Sequence, residues 1–218
     1  MKITKFVHSC LLVEMPAPVN RTVLFDPGVM SEDAVDVQSL DYLDDIIITH
    51  NHPDHMSLPL IKRLLGKFPS VKITTTAEAA GQLKAENIVS STESSLGIVL
   101  FQAPHESVSP LFPEPESTGV HYLNLLTHPG DSHSFKETMP ILALPVAAPW
   151  GATIRAVNLA LELKPKHIIP IHDWHWSEAA RTDMYKQMQN VFGENDITFH
   201  VVQTGLPVVI DEKPPAAN

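Results

Sequence analysis

Ile46-Ile47-Ile48 runs without interruption into Thr49-His50-Asn51-His52-Pro53-Asp54-His55. A run of β-branched residues reads as a buried strand, which places the polar cluster in the loop at that strand's C-terminal end. Ser57 and Pro59 mark the start of a helix beyond it. Asn51 and Pro53 discourage regular structure between His50, His52 and Asp54, so alternate side chains can turn toward one point. Imidazole and carboxylate are the donors that borderline divalent metals such as zinc take. A polar loop merely rich in histidine is a poor account of such a set. The stretch reads as a metal site, and a chain that carries one in a loop after a strand must supply the remaining ligands from elsewhere.

The 218 residues suit one domain with a sizeable core, over 1–212, followed by a disordered tail at 213–218 that includes Lys213, Pro214 and Pro215. Apolar residues at 44% and charged residues at 18% exclude an intrinsically disordered chain. The net charge of −10 argues against binding a nucleic acid over the surface at large, while metals could still hold a small anion locally. The single cysteine, Cys10, excludes an intrachain disulfide and fits a reducing, cytoplasmic setting. Lys2 and Lys5 before Leu11-Leu12-Val13 mimic a signal peptide, but His8, Ser9 and Glu14 break its apolar core. No run approaches the length of a membrane span. Of twelve histidines, five are assigned to metal below, and the other seven read as surface or packing residues.

Residues 2–7, 10–15 and 22–25 read as strands, the third ending at the turn Asp26-Pro27-Gly28. After the histidine cluster, Leu60, Ile61, Leu64, Leu65 and Phe68 share one helical face. Residues 71–74 form a strand, and Thr75-Thr76-Ala77-Glu78 reads as a capping box opening a helix to about Asn87. Residues 97–102 form a strand that ends at Ala103-Pro104-His105, so His105 sits like the first cluster and is the candidate third ligand. Residues 106–118, with Pro110, Pro113 and Pro115 around Leu111 and Phe112, form a long loop, either a lid over substrate or a surface hairpin packed on itself. Residues 119–127 read as one strand leading to His128-Pro129-Gly130-Asp131-Ser132. A strand at 141–146 precedes Trp150, and a helix to Lys164 carries Ile154, Val157 and Leu161 on its apolar stripe. Residues 167–171 form a strand delivering His172-Asp173-Trp174-His175-Trp176. Ser177 caps a last helix with Met184, Met188, Val191 and Phe192 on its face, and strands at 197–203 and 206–210 close the chain.

The motif His-x-His-x-Asp-His resembles the signature of the metallo-β-lactamase superfamily, and the resemblance extends over essentially the whole chain. It implies an α/β chain folded as an αββα sandwich, with metals at one edge between the sheets. Carried over by position, it implies one metal on His50, His52 and His105, and a second on Asp54, His55 and His172. Gly130-Asp131-Ser132 matches the bridging-aspartate motif, which makes Asp131 the carboxylate between two cations. The family also carries an aspartate at the end of the strand preceding its metal loop, which casts Asp26 as an anchor for a ligand. His128 and His133, flanking Asp131, are read as supporting or pocket residues.

Such a constellation implies a metal-dependent hydrolase in which two divalent ions, zinc with manganese or iron as alternatives, activate a shared water. Asp54 would orient the nucleophile and take a proton. Trp150 is read as an apolar wall for a small lactone, ester or phosphodiester, with Asp173 or His175 contacting its polar groups. Three alternatives stand beside this. A β-lactamase proper lacks the bridging aspartate, and a nuclease of the superfamily needs an extra domain for which there is no room. A metal-binding regulatory protein of the same fold would keep the ligands without turnover. Oligomeric state has no signature in the sequence.

Overall fold

The N-terminal apolar runs form the strands expected of them in a computed structural model that describes residues 1–212. The strands β1 (Lys2–Lys5), β2 (Leu11–Met15) and β3 (Arg21–Phe25) make an antiparallel meander, which β4 (Asp45–Ile47) and β5 (Lys72–Thr74) extend in parallel. The strand β12 (Pro207–Val209) closes the other edge, giving the order β12-β1-β2-β3-β4-β5. A second sheet of β6 (Ile98–Gln102), β7 (Thr118–Tyr122), β8 (Leu126–His128), β9 (Ile141–Pro145), β10 (His167–Ile171) and β11 (Thr198–Phe199) has the order β11-β10-β9-β8-β7-β6. Two helices, α1 (Leu58–Lys67) and α2 (Ala77–Ala85), follow strands of the first sheet, and α3 (Thr153–Leu163) and α4 (Glu178–Gly193) belong to the second.

Side chains alternate across each strand, and this sorts the core into three layers. Leu11, Val13, Val23, Phe25 and Ile47 face Val120, Tyr122, Leu126, Ala143 and Ile169 between the sheets. Their neighbours Leu12, Leu24, Ile46 and Ile48 turn to the opposite side, where Leu60, Ile61 and Leu64 of α1 cover them. Each of these three helical side chains is fully buried, which is worth about 1.5–3 kcal/mol apiece. Leu142, Leu144 and Ile168 meet Ala156, Ala160, Met188 and Phe192 on the outer face of the second sheet. The layers are therefore helix, sheet, sheet, helix, as the sequence resemblance implies.

Several local expectations are corrected. The single strand expected at 119–127 is a hairpin, because Leu123 and Asn124 both adopt φ 53 and turn β7 back into β8. The Thr75–Glu78 box is shifted by one: Thr76 accepts from the Ala79 amide, while Thr75 Oγ1 donates to the Ile48 carbonyl. The stripe of α3 centres on Ala156 and Ala160, with Ile154 exposed, and α4 buries Tyr185 in place of Met184. Small alanines let α3 lie close to the sheet, a packing choice that hydrophobic periodicity does not encode. The closing strands shrink to Thr198–Phe199 and Pro207–Val209. Residues 103–117 hold no regular element, and Leu111 and Phe112 are 84% and 69% exposed, so the loop is not packed on them. The tail at 213–218 lies outside the described residues.

Candidate metal centre

Sheet direction decides which residues meet. β3, β4 and β5 run parallel, so Asp26 after β3 and His50 after β4 emerge at one edge. β2 is antiparallel to β3 with Leu11 opposite Phe25, which brings the turn before β2, and His8 within it, to the same edge. In the second sheet β8, β9 and β10 are parallel, and β6 shares their direction because β7 is antiparallel to both β6 and β8. Their C-terminal ends deliver His105, Asp131, Trp150 and His172. Two glycines permit this crowding. A Cβ on Gly28 would fall 1.7 Å from the Asp54 carbonyl oxygen, and Gly130, at φ 60, lies where a Cβ would sit 2.8 Å from the Thr49 side chain.

The ligand-type atoms fall into two groups, each with all its members within 4.8 Å of one another. One is His50, His52 and His105; the other is His8, His55, Asp131 and His172. Asp131 links them, with Oδ1 at 2.9 Å from His55 Nε2 and 2.6 Å from His172 Nε2, and Oδ2 at 3.4 Å from His105 Nε2. Asp54 stands outside both groups, contrary to its expected place beside His55. Its Oδ2 lies 3.1 Å from His8 Nε2, and its side chain is 30% exposed toward solvent.

The neighbours of these rings select the nitrogens that remain free. His55 Nδ1 donates to Asp26 Oδ2 at 2.8 Å, leaving Nε2 directed at Asp131. Thr49 Oγ1 donates to Asp26 Oδ2 at 2.9 Å and is thereby left to accept from His50 Nδ1 at 3.1 Å. His105 Nδ1 donates to the Glu106 carbonyl at 2.7 Å. For His50 and His105 the other nitrogen is left to face the centre, the arrangement by which outer partners prepare metal-binding histidines. Among the described residues, His50 Nε2, His105 Nε2, His172 Nε2 and Asp131 Oδ1 are buried without any hydrogen-bond partner. Buried polar atoms are ordinarily satisfied, so four orphans around one point call for an electrophile, and imidazole with carboxylate suits a divalent cation.

Electrostatics agrees. Burial pushes His50 well below 6.5, with His55 adding to the effect, and burial lowers His172 to about 4, so both rings are neutral and competent to bind a cation. Burial opposes the charge on Asp131, yet His172 and His55 outweigh it and hold the carboxyl well below the usual range. Burial likewise works against charge on His55, but Asp131 and Asp26 prevail and raise it well above 6.5. Positive charge is favoured between those two carboxylates, which is the balance a metal supplies. For Asp54, burial alone would raise the pKa, and the hydrogen bond from His8 together with the charge of His55 holds it well below the usual carboxylate range.

The remaining residues sort by their contacts. His128 accepts from the Gly130 amide at Nδ1, donates from Nε2 to the Ser9 carbonyl at 3.0 Å and stacks on Phe25, so it braces the Asp131 loop. His133 donates to the Pro145 carbonyl at 2.8 Å. Trp150, expected as a substrate wall, is only 9% exposed, and its indole N–H donates to Asp131 Oδ2 at 2.9 Å. Asp173, expected as a polar substrate contact, is buried with Oδ1 on Lys5 Nζ at 2.5 Å and Oδ2 accepting from Tyr185 at 2.5 Å, which leaves it nothing to offer a ligand. His175 is exposed beside Trp174 and Trp176, and it touches neither donor group. Trp174 is 44% exposed, 6.2 Å from the His8 ring. Sequence reading left His8 among the surface or packing histidines; the one signal available was a histidine in a tight turn between two strands.

Comparison with known proteins places this geometry. A family model described as a Beta-lactamase superfamily domain matches residues 2–172, a span that contains every member of both groups. Protein Rv0786c of Mycobacterium tuberculosis is 31% identical over 185 residues, 79% of this chain and 84% of its own length. UPF0173 protein PF0020 of Pyrococcus furiosus is 26% identical over 199 residues, covering 87% and 91%. Among solved structures, the metallo hydrolase Igni18 of Ignicoccus hospitalis superposes with a TM-score of 0.71 at 18% identity, covering 97% of this chain and 99% of that one. An isothiocyanate hydrolase from Delia radicum gut bacteria gives 0.65 at 15% identity, covering 96% and 99%. At these identities the structures speak for the fold, and the family match speaks for descent. The chain belongs to the metallo-β-lactamase superfamily of metal-dependent hydrolases.

Proposed function

We propose that the chain hydrolyses a small lactone, ester or phosphodiester at a dinuclear centre, with one divalent ion on His50, His52 and His105 and a second on His55 and His172. Asp131 lies between them, and zinc is the first choice of metal, with manganese or iron as alternatives. The observation that carries this reading is the convergence of orphaned donor atoms in two adjoining groups that the Asp131 carboxylate links. Bound there, two cations supply a water of lowered pKa and polarise the bond to be cleaved.

The chain's own residues do the rest. Asp54, ionised and open to solvent, orients the attacking water and takes its proton as the bond to carbon or phosphorus forms. The same carboxyl then returns a proton to the departing oxygen. Asp26 keeps Thr49 and His55 in register, through bonds of 2.8 Å to the Thr49 amide and 2.8 Å to His55 Nδ1. Trp150 fixes one oxygen of Asp131. Trp174, the exposed aromatic beside the His8 ring, is the apolar wall available to a substrate.

Asp54→Asn tests the assignment because it keeps volume and removes the proton acceptor. On whichever lactone, ester, phosphodiester or isothiocyanate proves to be turned over, kcat falls by about a hundredfold, the scale of a lost general base. The three-histidine site keeps its metal by elemental analysis. Full turnover in that variant would remove Asp54 from the chemistry. A wild-type protein that binds metal and cleaves nothing across such a panel would be a regulatory metal-binding protein instead.

A further inference from the structure

We propose that His8 is itself a protein ligand of the second metal, giving that site three imidazoles and the Asp131 carboxylate. The inference rests on the dinuclear reading above and assigns a residue that the metal-loop motif does not contain. His8 lies in the turn between β1 and β2, 42 residues before the motif begins at His50. Its ring is buried, so it can serve only what lies inside the centre.

The spacing of the donors is the first argument. His8 Nε2 is 3.2 Å from His55 Nε2, and Asp131 Oδ1 is 2.9 Å from His55 Nε2 and 2.6 Å from His172 Nε2. Two nitrogens held about 2.0–2.1 Å from one tetrahedral zinc stand roughly 3.3 Å apart. His8 and His55 therefore sit at the separation of two ligands to one ion, and the His8 and His172 rings approach to 3.9 Å between centroids.

The backbone is the second argument. His8 adopts φ 65 and His172 φ 63, the left-handed region that residues with a Cβ seldom occupy and that persists only where the surroundings impose it. Here they do. The Val7 amide donates to Ser31 Oγ at 3.1 Å, Ser31 Oγ donates back to the Val7 carbonyl at 2.9 Å, and the His172 amide donates to the His8 carbonyl at 3.3 Å. Two histidines from different sheets are thus held in an uncommon conformation and tied to each other, each with a ring nitrogen within 4.8 Å of an Asp131 oxygen. Asp54 Oδ2, 3.1 Å from His8 Nε2, offers the competing role in which His8 only donates a hydrogen bond to Asp54.

His8→Asn separates the two, because asparagine tolerates the left-handed turn and lacks the imidazole. The metal-free wild type titrated with zinc takes up two equivalents. In His8→Asn the first equivalent binds as in the wild type and the second binds at least tenfold to a hundredfold more weakly. Undiminished affinity for the second equivalent in a folded His8→Asn protein overturns the role of His8 alone, whereas a wild type that saturates at one equivalent overturns the dinuclear reading beneath it. Ring nitrogen spectra of the zinc-loaded wild type give a measurement independent of the variant's folding. His8 Nε2 moves to the metal-bound range if it ligates, and a retained Nε2–H shows that it does not.

Discussion

The two donor groups are built differently. His50, His52 and His105 are three imidazoles, with His52 half-buried at the rim and the His105 side chain 4% exposed, and two of the three come from one short loop. His8, His55, Asp131 and His172 are all buried, include a carboxylate, and come from four separate loops on two sheets. Two of the first group's three ligands are a product of local sequence, and only His105 comes from the second sheet. The second draws two ligands from each sheet, and Asp173, the residue after its His172, is held by Lys5 and Tyr185. The contrast teaches that the rim group should survive local damage that the inner group does not.

Lys5→Ala should break that contrast most severely. Lys5 and Asp173 are both buried, and removing one partner of a buried pair leaves an uncompensated charge, at about 3–5 kcal/mol. The cost should show as a lower midpoint in chemical denaturation, and loss of the second metal equivalent should precede loss of the first. Equal loss of both would mean that the groups do not differ in their dependence on the packed sheets.

Asp131→Ala removes the carboxylate of the inner group that also reaches His105 of the other. Activity should fall roughly a thousandfold, about 4 kcal/mol of lost stabilisation, and metal content should drop below two per chain. Retention of two tightly held ions would show that the groups are independent.

Asp26→Asn sharpens the comparison from below, since Asp26 reaches His55 directly and His50 through Thr49. Losing such a partner costs about 10–100-fold in metal affinity, and isothermal titration should find both equivalents weakened. The smallest effect is expected of Trp150→Phe, which keeps the ring and removes only the indole N–H on Asp131. Metal affinity should decline by less than about tenfold, the scale of one hydrogen bond to a charged group, with KM unchanged. A raised KM at unchanged metal content would return Trp150 to the role of substrate wall.

Element types were legible wherever local chemistry decides them. Ser57 and Ser177 do cap α1 and α4, accepting from the Leu60 and Ala180 amides, and the Ile46–Ile48 run does enter the sheet. The hairpin at Leu123 and Asn124 was not legible, because two consecutive left-handed residues interrupted a pattern that otherwise reads as one strand. Trp150 and Asp173 were read as substrate contacts from their nearness in sequence to other site residues. Such nearness says nothing about direction, and both side chains turned inward to partners 19 and 168 residues away.

By itself the sequence determined the strand-then-loop placement of His50, His52, Asp54, His55, His105, Asp131 and His172, the chemical class of the donors, and a mixed α/β class, the layered order being implied by the family resemblance alone. These are consequences of periodicity, capping and residue chemistry acting over a few positions. Tertiary structure alone decided that His8 joins His55, Asp131 and His172, that Asp54 stands outside that group, and that Lys5 neutralises Asp173 below it. The reason is strand direction: whether a turn before a strand or a loop after one reaches the shared edge depends on parallel or antiparallel pairing, which is settled between residues far apart in the chain.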